Sequence, residues 1–185
     1  MRCSLYCLII AGAVLVAGSL SAGESDYVPG KVVLEKKEDG YYVTVLYQGA
    51  FPLKVLSAIE DGMRVRIICE VVIRRQSEFA LSRDEEIYSA EYARTVQYNL
   101  MDGRYLIVNQ NTGAVRRAAR RSQLLGMLRA PDTLPVVGTY VFVRGGQYYA
   151  EARIAIRFGK LYPPFSFLSI MTYESPWVRS GVFVQ

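Results

Sequence analysis

The sequence predicts a mostly β (α+β) fold, an antiparallel β-sandwich-like or helix-covered sheet of about seven or eight strands with two short helices. Three observations predict it. Apolar and polar residues alternate with period two over most of the chain, as from Met63 to Arg75. Only two segments change to a helical period. Turn residues recur at short intervals, as in Glu38-Asp39-Gly40 and Met101-Asp102-Gly103-Arg104. Alternation leaves each sheet one wet face, whereas the strands of parallel enzyme sheets read as continuous apolar runs.

The amino-terminal segment is of another kind. Arg2, an apolar run from Leu5 to Val16, and small residues through Gly18, Ser19, Ser21, Ala22 and Gly23 have the three-part layout of a secretory signal, with cleavage expected near Ala22. The run is short for a membrane span of about 20 apolar residues. Lipid attachment needs a Cys just after the run, but Cys3 and Cys7 precede most of it, so a lipoprotein is not expected. With residues 1–23 as signal, residues 24–185 form a single β-rich exported domain, about the size of one core. Removal takes Arg2 and no acid, so the formal charge of +5 falls by one. Cys69 is then left without a partner in its own chain, and packing rather than an internal disulfide must hold the domain.

Glu24 to Gly30, polar with Pro29, reads as a tether. Lys31–Lys37 alternates Val32 and Leu34 against Lys31, Glu35 and Lys37, and Tyr41–Tyr47 alternates again after the turn, giving a hairpin. Pro52, Val55, Leu56 and Ile59 then share a helical face that closes at Gly62. Met63 to Arg75 follows as a strand, with Met63, Val65, Ile67, Cys69, Val71 and Ile73 on one side and Arg64, Arg66, Glu70 and Arg74 on the other. After a polar break from Ser77 to Glu86, Tyr88, Ala90, Tyr92, Val96, Tyr98 and Leu100 share a face, and Tyr105–Asn109 returns as the second arm of a hairpin. Ala114–Arg129 reads as the second helix, with Val115, Ala118, Ala119, Ser122 and Leu125 inward. Ala130–Pro135 reads as a loop. Thr139–Val143 and Gln147–Phe158 read as strands around Gly145-Gly146, and Phe165–Tyr173 and Val178–Val184 as a last pair of segments.

With those segments placed, the chain resembles the domain-of-unknown-function 4390 family of exported bacterial proteins. The resemblance rests on Ala58-Ile59-Glu60-Asp61-Gly62 leading into the strand to Arg74-Arg75, then Tyr98-Asn99 and Tyr105, the segment from Ala114, the strand to Phe158, and Trp177. Gln76-Ser77-Glu78-Phe79 departs from it, since aromatic residues usually stand there. The resemblance implies export, envelope association and this fold. It names no catalytic or binding residue.

Histidine is absent from the sequence, which removes Ser-His and Cys-His nucleophile pairs and His metal ligands. No spacing of glycines cradles a phosphate, so neither nucleotide nor other cofactor is expected. Arg116, Arg117, Arg120 and Arg121, on one face of the expected helix, are the candidate binding residues for an anionic lipid surface, acidic glycan or acidic envelope protein. Export removes nucleic acid as a partner. Tyr162, Phe165 and Trp177, in the most apolar stretch, are candidate aromatic contacts. Sheet packing or a solvated face accounts for the same residues without a ligand. Glu85-Glu86 and Glu60-Asp61 are the paired carboxylates from which an envelope hydrolase would be built.

The expectation is therefore a non-catalytic periplasmic or envelope-associated module that binds a protein, lipid surface or glycan. An eight-stranded outer-membrane β-barrel is the alternative, and a carboxylate-based hydrolase comes third.

Overall fold

The computed structural model describes residues 23–24, 26–77, 82–138, 142–158 and 171–185. The expected signal, but for Gly23, lies outside them, as do Tyr162, Phe165 and most of the expected strand at Thr139–Val143.

The strands are β1 (Gly23–Glu24), β2 (Val28–Lys37), β3 (Gly40–Gln48), β4 (Val65–Arg75), β5 (Glu85–Asn99), β6 (Arg104–Asn109), β7 (Val115–Ala118), β8 (Asp132–Val136), β9 (Gln147–Phe158), β10 (Met171–Glu174), β11 (Val178–Arg179) and β12 (Phe183–Val184), and the helices are α1 (Leu53–Glu60) and α2 (Arg121–Arg129). They form a nine-stranded sheet and a three-stranded sheet of order β2-β3-β8. The large sheet runs β1-β10-β9-β4-β5-β6-β7, and β11 and β12 also pair with β9. Every pairing is antiparallel except the short one of Gly23 and Glu24 with Tyr173 and Glu174.

The small sheet and the helices cover one face of the large sheet. The core between them takes Val32, Leu34, Val43 and Val45 from one layer, Val55, Leu56 and Ile59 from α1, and Val65, Ile67, Val71, Ile154, Ile156 and Phe158 from the other layer. The inward residues expected within β4, Val65, Ile67, Cys69, Val71 and Ile73, are buried as read, and Ala152, Ile154, Ile156 and Phe158 of β9 are buried with them. On the opposite face Ile68, Ala93 and Ala155 meet across β5, β4 and β9, so central β4 carries buried residues on both sides.

Three expected segments are corrected. Residues 24–30 are not a tether: β2 starts at Val28, and Tyr27 is fully buried, stacked on Tyr47 and edge-on to Phe51. Chain crossing is tightest here, since a Cβ on Gly49, whose φ is +83°, would lie 1.7 Å from the Asp26 carbonyl oxygen. Ala130–Pro135 is not a loop but carries β8, where Pro135 stands opposite Tyr42 on a strand paired on one side only. Ala114–Arg129 is not one helix. Val115–Ala118 pairs with β6 as an edge strand, and α2 begins at Arg121. Tertiary pairing overrides the helical reading there, and the inward helical pair is Leu124 and Leu128 rather than Val115 and Leu125.

Candidate functional site

The four arginines expected on one helical face are separated by the break between β7 and α2. Arg116 stands opposite Ile107 and Arg117 opposite Leu106, so consecutive positions on β7 send them to opposite faces of the sheet. Arg120 is the residue before α2, where the Gln123 side-chain oxygen accepts from the Ala119 N–H at 2.9 Å and the Arg120 N–H at 3.3 Å. Arg121 turns back to Glu60, with 3.8 Å between Nε and Oε1, and Glu60 also accepts from the Tyr105 hydroxyl at 2.9 Å. Burial, reinforced by this carboxylate, pushes the Tyr105 hydroxyl from 10.0 up to about 12. Arg121 and Glu60 thus tie α2 to α1.

Sequence reasoning missed what β4, β9 and the β5–β6 hairpin add at this end of the large sheet. On the outer face Arg66 and Arg157 stand directly opposite each other on β4 and β9, both exposed. Arg64 lies just ahead of β4 and Arg104 begins β6. Leu106, Val108 and Val115 complete the outer surface toward β7. Among the described residues none of Arg64, Arg66, Arg104, Arg116, Arg117, Arg120 and Arg157 has a carboxylate partner. The acids nearby are Glu60, Asp61 and Asp102. The strand period alone puts Arg66 and Arg157 on the wet face. Their juxtaposition needs the β4–β9 register, which no local pattern carries.

The hairpin tip reaches beyond the start of β4. Asn99 fixes it: its side-chain oxygen accepts from the N–H groups of Met101 at 3.0 Å and Asp102 at 3.4 Å, while its amide donates to Asp102 at 2.7 Å. Gly103 closes the turn with φ +61°. Leu100 and Met101 are left 69% and 94% exposed. A Cβ on Gly62, at the end of α1, would sit 3.3 Å from Leu100.

The other end of the sheet is different. Arg74 reaches Glu86 and Glu151, each at 3.2 Å, Arg75 pairs with Glu85, and Arg153 meets Glu70 at 2.7 Å and Glu174 at 3.3 Å. Both members of the Glu85-Glu86 pair are therefore held by arginines of the neighbouring strand. A cavity of about 860 Å³ opens beside them, lined in part by Arg75, Arg83, Glu85 and Arg144. Trp177, 42% exposed, lies under the Arg153 guanidinium at 4.9 Å and so belongs to this ion-paired face.

Between the sheets sits one further polar cluster. Arg94 pairs with Asp132 at 3.1 Å and lies over the Tyr47 ring at 5.2 Å, and the Tyr47 hydroxyl donates to Asp132 at 2.6 Å. Burial raises the Tyr47 hydroxyl well above its ordinary value. The Tyr27 hydroxyl donates to the Leu128 carbonyl of α2. Among the described residues no group of Cys, Asp and Glu is arranged to hold a metal ion.

What the fold and this end of the sheet define is a two-layer, helix-covered antiparallel β domain with a cation-rich surface around an apolar hairpin tip. A family model described as a domain of unknown function (DUF4390) matches residues 28–178, and the chain belongs to that family. No curated protein and no solved structure matches it.

Proposed function

We propose that this is an exported, non-catalytic interaction module of the cell envelope that docks on an anionic surface through the outer-face arginines at the end of its large sheet where β4 begins, β9 ends and the β5–β6 hairpin turns. The observation that carries this is Arg66 facing Arg157. Like charges directly across a strand pair destabilise each other, and an anion lying over them removes that cost. Around them Arg64, Arg104, Arg117 and Arg120 have no carboxylate partner among the described residues, while farther along the same face Arg74 and Arg153 each hold two carboxylates. A focused field of one sign steers and holds an oppositely charged partner. The amino-terminal apolar run and the missing histidines support export and a non-catalytic role.

The test is salt-dependent attachment to envelope membranes. Each cation near an anionic surface contributes about 1 kcal/mol, so changing Arg66, Arg117 and Arg157, which share the outer face, together to Gln should weaken attachment by roughly 3 kcal/mol and flatten its salt dependence. Folding should not be weakened, since all three side chains are exposed. Arg121→Gln should do the reverse: attachment is kept, and up to about 1 kcal/mol of stability is lost with the Glu60 pair. A triple variant that attaches as its parent does, with the same salt dependence, overturns the reading.

A further inference from the structure

The hairpin tip gives the anionic surface an identity. We infer that the occupant is a lipid bilayer bearing anionic headgroups, and that Leu100 and Met101 enter its interfacial layer while the surrounding arginines hold phosphates. This rests on the docking reading and names its partner.

Three observations separate a bilayer from an acidic protein or glycan. Leu100 and Met101 are 69% and 94% exposed at the end of a projecting turn. A convex apolar tip finds no pocket in a rigid, polar partner but can enter a soft apolar medium. The turn is preorganised, because the Asn99 side chain accepts from two of its N–H groups and donates to Asp102, so ordering it on insertion costs little. Asp102, the carboxylate nearest the tip, is engaged in that same network rather than directed at the surface alone.

The third observation is the arrangement of charge. Arg104 directly follows the turn, opposite Asn99 across the β5–β6 pair, and Arg64 follows the Gly62 that approaches Leu100. Arg120 comes two residues after Ala118, which pairs with Tyr105, the residue after Arg104. The apolar tip is thus bordered by cations from the α1–β4 connection, from β6 and from the β7–α2 junction. Apolar side chains with basic residues beside them match an interface whose headgroups are anionic and whose interior is hydrocarbon.

The experiment uses the protein as it occurs after purification from the cell that makes it. The probes are vesicles of phosphatidylcholine alone and of equimolar phosphatidylcholine and phosphatidylglycerol. A nitroxide attached at Met101→Cys, in a chain with Cys3 and Cys7 changed to Ser and with Cys69 buried, reports depth independently of whatever the amino-terminal apolar run does. On the anionic vesicles its collisions with oxygen should increase and those with a water-soluble nickel chelate decrease, whereas a nitroxide at Arg144→Cys, at the far end of the sheet, should stay in water. Leu100→Ser with Met101→Ser should lower binding to the anionic vesicles about tenfold or more, with the melting temperature unchanged because both side chains are exposed. The pure phosphatidylcholine vesicles should bind weakly.

A Met101 nitroxide that remains in water while the protein is bound overturns the bilayer inference and leaves the docking reading standing. So does a protein that ignores anionic vesicles but is retained in a salt-dependent way on an acidic polymer. An Arg66, Arg117 and Arg157 variant that binds anionic vesicles as its parent does removes the docking reading itself.

Discussion

Arg94 is a full charge placed on the inward face of β5, and its surroundings explain how it is tolerated. Asp132 neutralises it, Tyr47 supplies both a ring beneath the guanidinium and a hydroxyl to the same carboxylate, and together they offset the cost of burying the charge. The strand period already places Arg94 with Tyr92 and Val96, so a cation facing inward was legible in the sequence. Its partner was not, because Asp132 falls in a stretch whose proline and polar residues read as loop. Cys69, close by, yields a prediction. Burial pushes its thiol from 9.0 up to about 12 against the opposing hydrogen bond to Tyr47, with a lesser push from the carboxylate of Asp132. Below pH 9 the thiol is protonated in both states and the shift costs nothing. From there toward about 12 the unfolded chain releases a proton that the folded chain keeps, so stability falls by up to about 1.4 kcal/mol per pH unit. Tyr105 and Tyr149, raised from 10.0 to about 12, add to the decline only at higher pH. Urea midpoints measured through this range should fall from about pH 9, and Cys69→Val should delay the fall by about one unit. A variant as labile as its parent at pH 9 to 10 would assign the decline to other groups.

At the scale of the element, the carboxyl-terminal edge of the large sheet is assembled from β10, β11 and β12 laid end to end along β9. Where the edge breaks, serines complete the ladder. The Ser175 N–H donates to the Ile154 carbonyl while its hydroxyl accepts from the Ile154 N–H at 2.9 Å, and Ser180 serves Ala150 in the same way. Both serines are buried, so Ser175→Ala leaves the Ile154 N–H without a partner at a cost of about 1 to 3 kcal/mol. Amide exchange should quicken at Ile154 in that variant and at Ala150 in Ser180→Ala, each leaving the other site protected. Simultaneous acceleration at both would mean that the edge opens as one unit. Elements with a strict period and a clear stop were legible: the β2–β3 and β5–β6 hairpins, α1 between Pro52 and Gly62, and the long runs of β4 and β9. The stretch from Ala114 was not. Its Val115, Ala118, Ser122 spacing suits a helix, yet the open edge of β6 captures Val115–Ala118 and leaves the helix to start after Arg120.

For the molecule as a whole, the sandwich-like, helix-covered architecture followed from counting faces. Antiparallel strands with one apolar side need a cover, and the small sheet and two helices provide it. Ile67 and Ile156, opposite each other on β4 and β9, lie in the middle of the covered face. Replacing either by Ala should cost about 2 to 5 kcal/mol in equilibrium unfolding, and the pair together should depart from additivity because the two cavities merge. Changes near zero at both would place the core elsewhere. What sequence could not show is the division of charge along the sheet, which depends on register over six strands. On the same outer face Arg74 and Arg153 are ion-paired toward one end, and Arg66 faces Arg157 with no carboxylate between them at the other.

The tryptophan beneath Arg153 makes the protein self-reporting. Trp177 is the single indole in the chain, and it lies in the broken edge, not in the core. Its fluorescence therefore follows the seating of residues 171–185 on β9, and excitation of the tyrosines elsewhere in the fold is read out through that one acceptor. Emission will redden when the edge lifts and the guanidinium leaves the ring, even while circular dichroism still records an intact sheet. A gap between those two optical transitions measures, without any label, how far the closing segment is uncoupled from the body it closes.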